Sequence, residues 1–382
     1  MNERTPVAFP AVALAFLAAC CSCSSWEQSW TYHQPVQAND GWETASLAAA
    51  GVDPVPLTEL MDRLRANPGH LVEGILIVKD GRLVFEEYFD GISHPTYGDR
   101  PVSYNRSVKH CLSSVTKSVT ATLLGIAVDR GFAASVDAPA LDLFPEMADL
   151  NVGQKSEITL RHLVSMSAGL QWDEWSYPLR DPRNDLTQWF NFDGDLLRFV
   201  LERPMVADPG TLFTYNGGLT NVLGEAIRRV SGLRLDDFSE TYLFGPLGVT
   251  DLSWYLLRPD FVYASGDISL LPRDLAKLGR LFLQGGLWNG TRIISPEWVE
   301  ASAAPVFAME PWPGCAGYSY GWWPRSAEYG AGAFAAEGWG GQALIVMPEL
   351  DAIVVFTGGS YWRSPLLSPH RMMADYILPA IR

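Results

Sequence analysis

Alternation of apolar and polar positions first becomes regular at "GILIVKDGRLVFEEYF" (74–89), where two β-rich runs flank Asp80-Gly81. That dipeptide tolerates the positive φ of a tight turn, so the stretch predicts a β-hairpin. Just before it, "PLTELMDRLRAN" (56–67) places Leu57, Leu60, Met61 and Leu64 at helical spacing. From Ser114 to about Val249 the period is helical. "KSVTATLLGIAVDRG", "TLRHLVSMSAGL", "LLRFVLERP", "TNVLGEAIRRVSG" and "LDDFSETYLFGPLG" each carry an amphipathic pattern closed by Gly or Pro. Strands return late: "GQALIVMPELDAIVVFTGG" (341–359) predicts two apolar strands about a Pro-Glu-Leu-Asp turn, and "PHRMMADYILPAI" (369–381) a closing helix. Strands at both ends around a helical middle predict an α/β (α+β) fold. Its antiparallel sheet is built from both chain ends and flanked by helices, with an all-helical lobe inserted. The α/β lobe would take about 51–112 and 255–382 and the helical lobe about 113–254, leaving a cleft between lobes as the natural place for a site.

With 382 residues, 48% hydrophobic and 12% aromatic, the chain can fill one large core or two lobes sharing a cleft. The 43 acidic residues against 28 Lys and Arg give a formal charge of -15, and no basic cluster stands out, which argues against nucleic acid as a partner. The N-terminus has one Arg and then an apolar run from Val7 to Ala19, too short to span a bilayer and expected to be a secretion signal over 1–19. Its end, Leu17-Ala18-Ala19-Cys20, resembles the lipobox of bacterial lipoproteins, which implies lipidation at Cys20 and a membrane-anchored, exported protein, periplasmic or on the cell surface. An ordinary signal cleaved at an A-x-A-like site is the alternative. Residues 20–50 would then be a tether. Three of the five cysteines fall at 20, 21 and 23, so Cys111 and Cys315 alone remain for the folded part, and no disulfide framework is implied.

The candidate chemistry sits at "CLSSVTKSVTATLLGIAVDRG" (111–131), with Ser114 and Lys117 three residues apart at a helix start. A serine hydroxyl becomes a useful nucleophile only when a neighbour takes its proton, and a lysine can do so when burial or other cations disfavour its charged form. Three residues along a helix put both on one face, and the free N–H groups of a helix N-terminus favour negative charge developing on a substrate oxygen. The spacing by itself fits a capping serine followed by a solvated lysine equally well. There is no G-x-S-x-G elbow, H-E-x-x-H, P-loop or paired-Cys motif, so no metal or cofactor is indicated. The six histidines are scattered, with His110 four residues before Ser114.

Context weighs on the choice. "SVTKSVTATLLGIAVDRG" resembles the nucleophile helix of the serine β-lactamase-like hydrolases, the superfamily of class C β-lactamases, penicillin-binding D,D-peptidases and related esterases and amidases. The resemblance continues in order through "DGRLVFEEYFDG", "ITLRHLVSMSAGLQWDE", "PGTLFTYNGGLTNVLGEAIRRVSG", "LFGPLGVTDLSW", "YSYGWW" and "GWGGQALIVMPELDAIVV". It is nearest the esterase and 6-aminohexanoate-dimer-hydrolase-like branch. It implies a β-lactamase/transpeptidase-like fold, no cofactor, Ser114 as the acylated nucleophile and Lys117 as the residue sharing its proton. The family's Tyr-x-Asn tyrosine matches Tyr215, while the third motif position is Gly217, so Asn216 is the candidate for the missing amide. The Lys-Thr-Gly slot falls in "AAEGWGGQ" (335–342), where either Ala336-Glu337-Gly338 or Trp339-Gly340-Gly341 occupies it, and has no lysine. Such a strand still offers a backbone N–H to an oxyanion hole together with that of Ser114, which makes Gly338, Trp339 and Gly340 candidates. Trp172, Asp173, Glu174 and Trp175 are candidates for the pocket rim. Without the lysine, with Glu337 close by and a net acidic protein, an anionic substrate is expected to meet repulsion. The expectation is an exported serine hydrolase of small esters or amides. The alternatives are a periplasmic β-lactamase or D,D-peptidase, and a non-catalytic binding lipoprotein.

Overall fold

A computed structural model describes residues 29–309 and 314–382, so the proposed signal segment and Cys20 lie outside the described residues. The main sheet is antiparallel and six-stranded. Its strands are β1 (Val72–Lys79), β2 (Arg82–Tyr88), β3 (Trp323–Pro324), β4 (Phe334–Gly338), β5 (Gln342–Met347) and β6 (Ala352–Gly358), in the order β3-β4-β5-β6-β1-β2. The two chain ends meet where β1 pairs with β6, with Ile77 opposite Val354. The hairpin turns at Asp80 (φ 50°) and Gly81 (φ 72°), as the dipeptide predicts.

Both faces of this sheet are covered, which explains why its central strands read as continuous apolar runs. Ile75, Ile77, Ala343, Ile345, Val354 and Phe356 face one core with α1 (Pro54–Arg65) and the C-terminal helical segment 369–381. Leu76, Val78, Leu344, Val346, Ile353 and Val355 face the other. That second core continues without a break into the helical region. It takes in α2 (Val115–Asp129), α3 (Leu160–Val164), α4 (Asp185–Phe190), α5 (Leu196–Leu201), α6 (Gly217–Ser231), α7 (Leu235–Ser239) and α8 (Pro272–Leu283). The two lobes therefore share one core. A short three-stranded sheet of His110–Cys111, Ser269–Leu270 and Leu252–Ser253 ties them behind the cleft.

Three expectations change. The helix α2 is not amphipathic: every residue from Val115 to Ala127 is buried, as befits a helix enclosed on all sides. Its hydroxyls are carried inside by donating to carbonyls, Thr116 to Ser113 (2.6 Å), Ser118 to Gly321 (2.6 Å) and Thr120 to Ala264 (2.7 Å). The helix α8 went unread, although Pro272 at its start and Leu275, Leu278, Leu281 and Phe282 supply the pattern. From Ser29 onward, the stretch expected as a tether is packed. Trp30 N–H donates to Asp62 (2.6 Å), Trp42 is 2% exposed with Nε1–H on the Arg273 carbonyl (2.9 Å), and the backbone at 43–45 bonds to Leu83. Isolated tryptophans in a polar stretch have no periodicity to announce such packing. Trp42→Ala should therefore lower the unfolding free energy by about 3–5 kcal/mol, read from urea denaturation.

His110 is buried against β1 rather than near the nucleophile's hydroxyl. It is stacked on Tyr104 (3.9 Å between ring centroids), with Nδ1 3.5 Å from Glu73 Oε2. Burial pushes the Glu73 carboxyl up to about 8, against the opposing Ile92 N–H bond, and pushes His110 down to about 3. The folded state keeps the Glu73 proton where an unfolded chain has released it, so this group's stabilisation is lost as pH rises toward 8. His110 acts in the opposite sense below the ordinary imidazole value of 6.5, where unfolded chains gain a proton that the folded state refuses. Between about pH 6.5 and 8 Glu73 acts without that opposition. Glu73→Gln should flatten the fall in stability across that window, measured as urea midpoints.

Candidate active site

The nucleophile candidate sits on a turn held under local constraint. Ser113 has φ 46°, an unfavourable region for a side chain with a Cβ, and Ser114 follows as the N-cap position of α2. Its own hydroxyl makes no capping bond. Instead, Lys117 Nζ donates to Ser114 Oγ at 3.0 Å and to the Ser265 carbonyl at 2.8 Å. Lys117 is 4% exposed, so the solvated-lysine reading of the spacing is excluded. The Tyr215 ring stands with its centroid 5.0 Å from the same Nζ, stacked on Trp175 at 4.9 Å and on Trp323 at 5.9 Å. Ser114, Lys117 and Tyr215 thus come together from one helix and the turn before another.

The strand β4 reaches the nucleophile through a glycine. A Cβ on Gly338 would lie 2.3 Å from the Leu112 carbonyl and 3.2 Å from Ser113 Cβ, so only glycine lets the strand end lie against the Ser114 turn. Among the described residues, neither the Ser114 N–H nor the Trp339 N–H donates to another group. Gly338 and Trp339 line the cavity with Ser114. Gly340 does not: its φ is 93° and a Cβ there would meet the Tyr361 ring at 2.2 Å, so it serves packing.

Ser114 lies where two chambers meet, of about 800 Å³ and 420 Å³. Leu179 and Leu186 from the helical side and Trp339 and Trp362 from the sheet side border both. The larger is walled by aromatic rings, Trp175, Tyr177, Tyr215, Trp323 and Tyr361 among them.

Two proposed binding residues are corrected. Asn216 is 1% exposed and its Oδ1 accepts the Leu219 N–H (3.1 Å); it is the N-cap of α6 and borders neither chamber. Trp172 is likewise buried, its Nε1–H donating to Glu174 Oε2 at 2.7 Å, and it is Glu174 and Trp175 that reach the cavity. Burial raises the Glu174 pKa, with Lys117 pulling the other way. The repulsion expected from Glu337 is also corrected. Arg325 Nη2 and His370 Nε2 both bond its Oε1 (His370 at 3.1 Å), and although burial disfavours its charge, these neighbours hold its carboxyl at about 2. That carboxylate is therefore matched within the cavity wall, by an arginine on the preceding loop and a histidine 33 residues on that no local pattern links to it.

Sequence reasoning also missed His94. Its Nε2 is 3.2 Å from Ser113 Oγ and 3.7 Å from Asp267, and it borders the smaller chamber. With Cys111 and Asp267 it brings together donor types that could hold a metal. However, His94 Nδ1 accepts the Thr96 N–H at 3.2 Å, which leaves the proton on Nε2, the atom that would have to bind the ion. Asp267 is in turn bonded by Thr96 Oγ1 (3.0 Å). The cluster reads as a hydrogen-bonded support for the Ser113 turn.

A family model described as Beta-lactamase matches residues 57–362. The chain belongs to the beta-lactamase family. It is 28% identical over 276 residues to 6-aminohexanoate-dimer hydrolase of Paenarthrobacter ureafaciens, covering 67% of each chain. It is 29% identical over 193 residues to lovastatin esterase of Penicillium rubens, covering 46% of each. A solved family VIII carboxylesterase shares the fold with a TM-score of 0.62 at 19% identity, over 86% of this chain and 98% of that one. The protein is a serine hydrolase on the beta-lactamase fold. The close approach at Gly338 leaves no room for one added carbon beside the Ser114 turn. Gly338→Ala should slow fluorophosphonate labelling of Ser114 by about 10²-fold, followed by intact-protein mass spectrometry.

Proposed function

We propose that the protein cleaves ester or amide bonds of small substrates through an acyl-enzyme on Ser114. The observation that carries this is the buried Lys117 amine, 3.0 Å from Ser114 Oγ and tethered by the Ser265 carbonyl, with the Tyr215 ring beside it. Ser114 Oγ attacks the carbonyl carbon, and its proton passes to the Lys117–Tyr215 pair. The same pair returns a proton to the leaving oxygen or nitrogen, and water then releases the acyl group by the reverse path. The N–H groups of Ser114 and Trp339, without internal acceptors, hold the oxyanion at the start of α2. The two chambers meeting at Ser114 take the acyl and leaving portions. Aromatic walls, a slot without a lysine, and a nearby Glu337 whose charge is matched by Arg325 and His370 favour neutral, partly apolar substrates over β-lactams and peptidoglycan peptides. Export with a lipid anchor at Cys20 completes the proposal and would put the site outside the cytoplasm.

A fluorophosphonate probe should label the wild type and not Ser114→Ala, and Lys117→Ala should cut turnover of short 4-nitrophenyl esters by about 10²–10⁴-fold. Rapid nitrocefin hydrolysis with inert esters would assign the site to β-lactams instead. Absence of both labelling and turnover would leave a binding lipoprotein.

A further inference from the structure

The motif departure at Gly217 has a counterpart in space. A Cβ on Gly217 would lie 3.2 Å from Glu174 Oε2 and 3.3 Å from Ser265 Oγ, so a side chain beginning there would press on both oxygens. Glu174 Oε2 accepts the Gly217 N–H at 2.8 Å and the Trp172 Nε1–H at 2.7 Å. The contacts continue toward the nucleophile. Asn221 Nδ2 donates to the Gly217 carbonyl (2.9 Å) and to Ser265 Oγ (3.0 Å), and the Ser265 carbonyl accepts from Lys117 Nζ, which bonds Ser114 Oγ. Glu174 borders the larger chamber together with Ser114 and Tyr215.

Building on the serine-hydrolase reading, we propose that Glu174 is a positioning residue that takes over the place of the missing third motif side chain. Through Gly217 it fixes the turn that carries Tyr215, and through Gly217, Asn221 and Ser265 it fixes the acceptor that holds Lys117. A residue 43 positions upstream thereby replaces a motif member, and Glu174 and Gly217 form a matched pair: a side chain at 217 would crowd the carboxylate. The charged and titratable groups around Glu174 are Lys117, Asp185, Tyr263 and Tyr318, with Tyr215 on the same cavity wall. Its carboxylate faces the Lys117 charge, so its ionisation also belongs to the acid side of the pH–rate profile.

The test is a set of variants assayed with a short 4-nitrophenyl ester, with circular dichroism and thermal melting to establish folding. Glu174→Ala should lower kcat by about 10²-fold with KM little changed, because the reacting groups lose their alignment. Gly217→Asn alone should be impaired by the clash with Glu174. The double variant Glu174→Ala/Gly217→Asn should recover at least about tenfold in kcat over Glu174→Ala, since the amide then occupies the vacated space. Glu174→Gln, close in size, should keep the fold and change the acid limb of kcat/KM against pH. Wild-type kcat in Glu174→Ala, full activity in Gly217→Asn, or a folded double variant no better than Glu174→Ala would overturn the proposal. If the double variant does not fold, a Glu174→Gln profile superimposable on the wild type would do so. Turnover surviving in Ser114→Ala would instead refute the underlying serine mechanism, independently of Glu174.

Discussion

A lysine amine enclosed in a helix that is buried on every side has to find acceptors inside the protein or bring water in with it. Lys117 finds them in the Ser265 carbonyl and Ser114 Oγ. This requirement governs much of the surrounding structure. The segment 263–267 must lie along α2, and it is held there by Thr120 on the Ala264 carbonyl and Thr116 Oγ1 receiving the Ile268 N–H. The polar residues of α2 are therefore the fasteners that bring the chain's second half against its first, and Ser114 lies at the end of that seam.

The cavity follows from how closely two backbones approach. Gly338 brings the edge of the sheet against the Ser114 turn, Gly340 lets Tyr361 pack behind it, and Trp339 between them turns toward the chambers. Trp339 meets Trp362 edge to face at 4.6 Å, and Trp362 in turn carries the Arg180 guanidinium over its ring at 4.6 Å. Arg180 belongs to the helical side and Trp362 to the sheet side. This cation–π contact therefore spans the cleft beside Trp339 and Trp362, which border both chambers.

Charge in and around the site is settled locally. The chain is strongly acidic, yet Glu337 is matched by Arg325 and His370, and Asp267 is bonded by Thr96 beside His94. Glu73, deeper in the fold, is handled differently, by retaining its proton beside a neutral histidine. Net charge therefore says little about what the cavity accepts, because low-dielectric neighbours decide each group separately.

The hairpin at Asp80-Gly81, the two apolar strands that close the sheet, α1, and the candidate trio of Ser114, Lys117 and Tyr215 were legible along the chain. These are written in local patterns: period-two and period-3.6 alternation, a turn dipeptide, and three residues spaced one helical turn apart or held in a recognisable block. Which polar groups share a space was settled by the folded chain. Asn216 turned from ligand to helix cap, Trp172 from rim to support, and Gly340 from oxyanion candidate to packing glycine. Glu337 proved to be neutralised, and the tryptophans ahead of α1 proved to be core. Several of these outcomes depend on a partner tens or hundreds of residues away, such as Arg273 for Trp42 or His370 for Glu337, and pairings at that separation leave no periodicity in either segment. Glu174 opposite Gly217 is the clearest case, since an absent side chain in one block acquires its meaning only from the carboxylate that folding delivers into the gap.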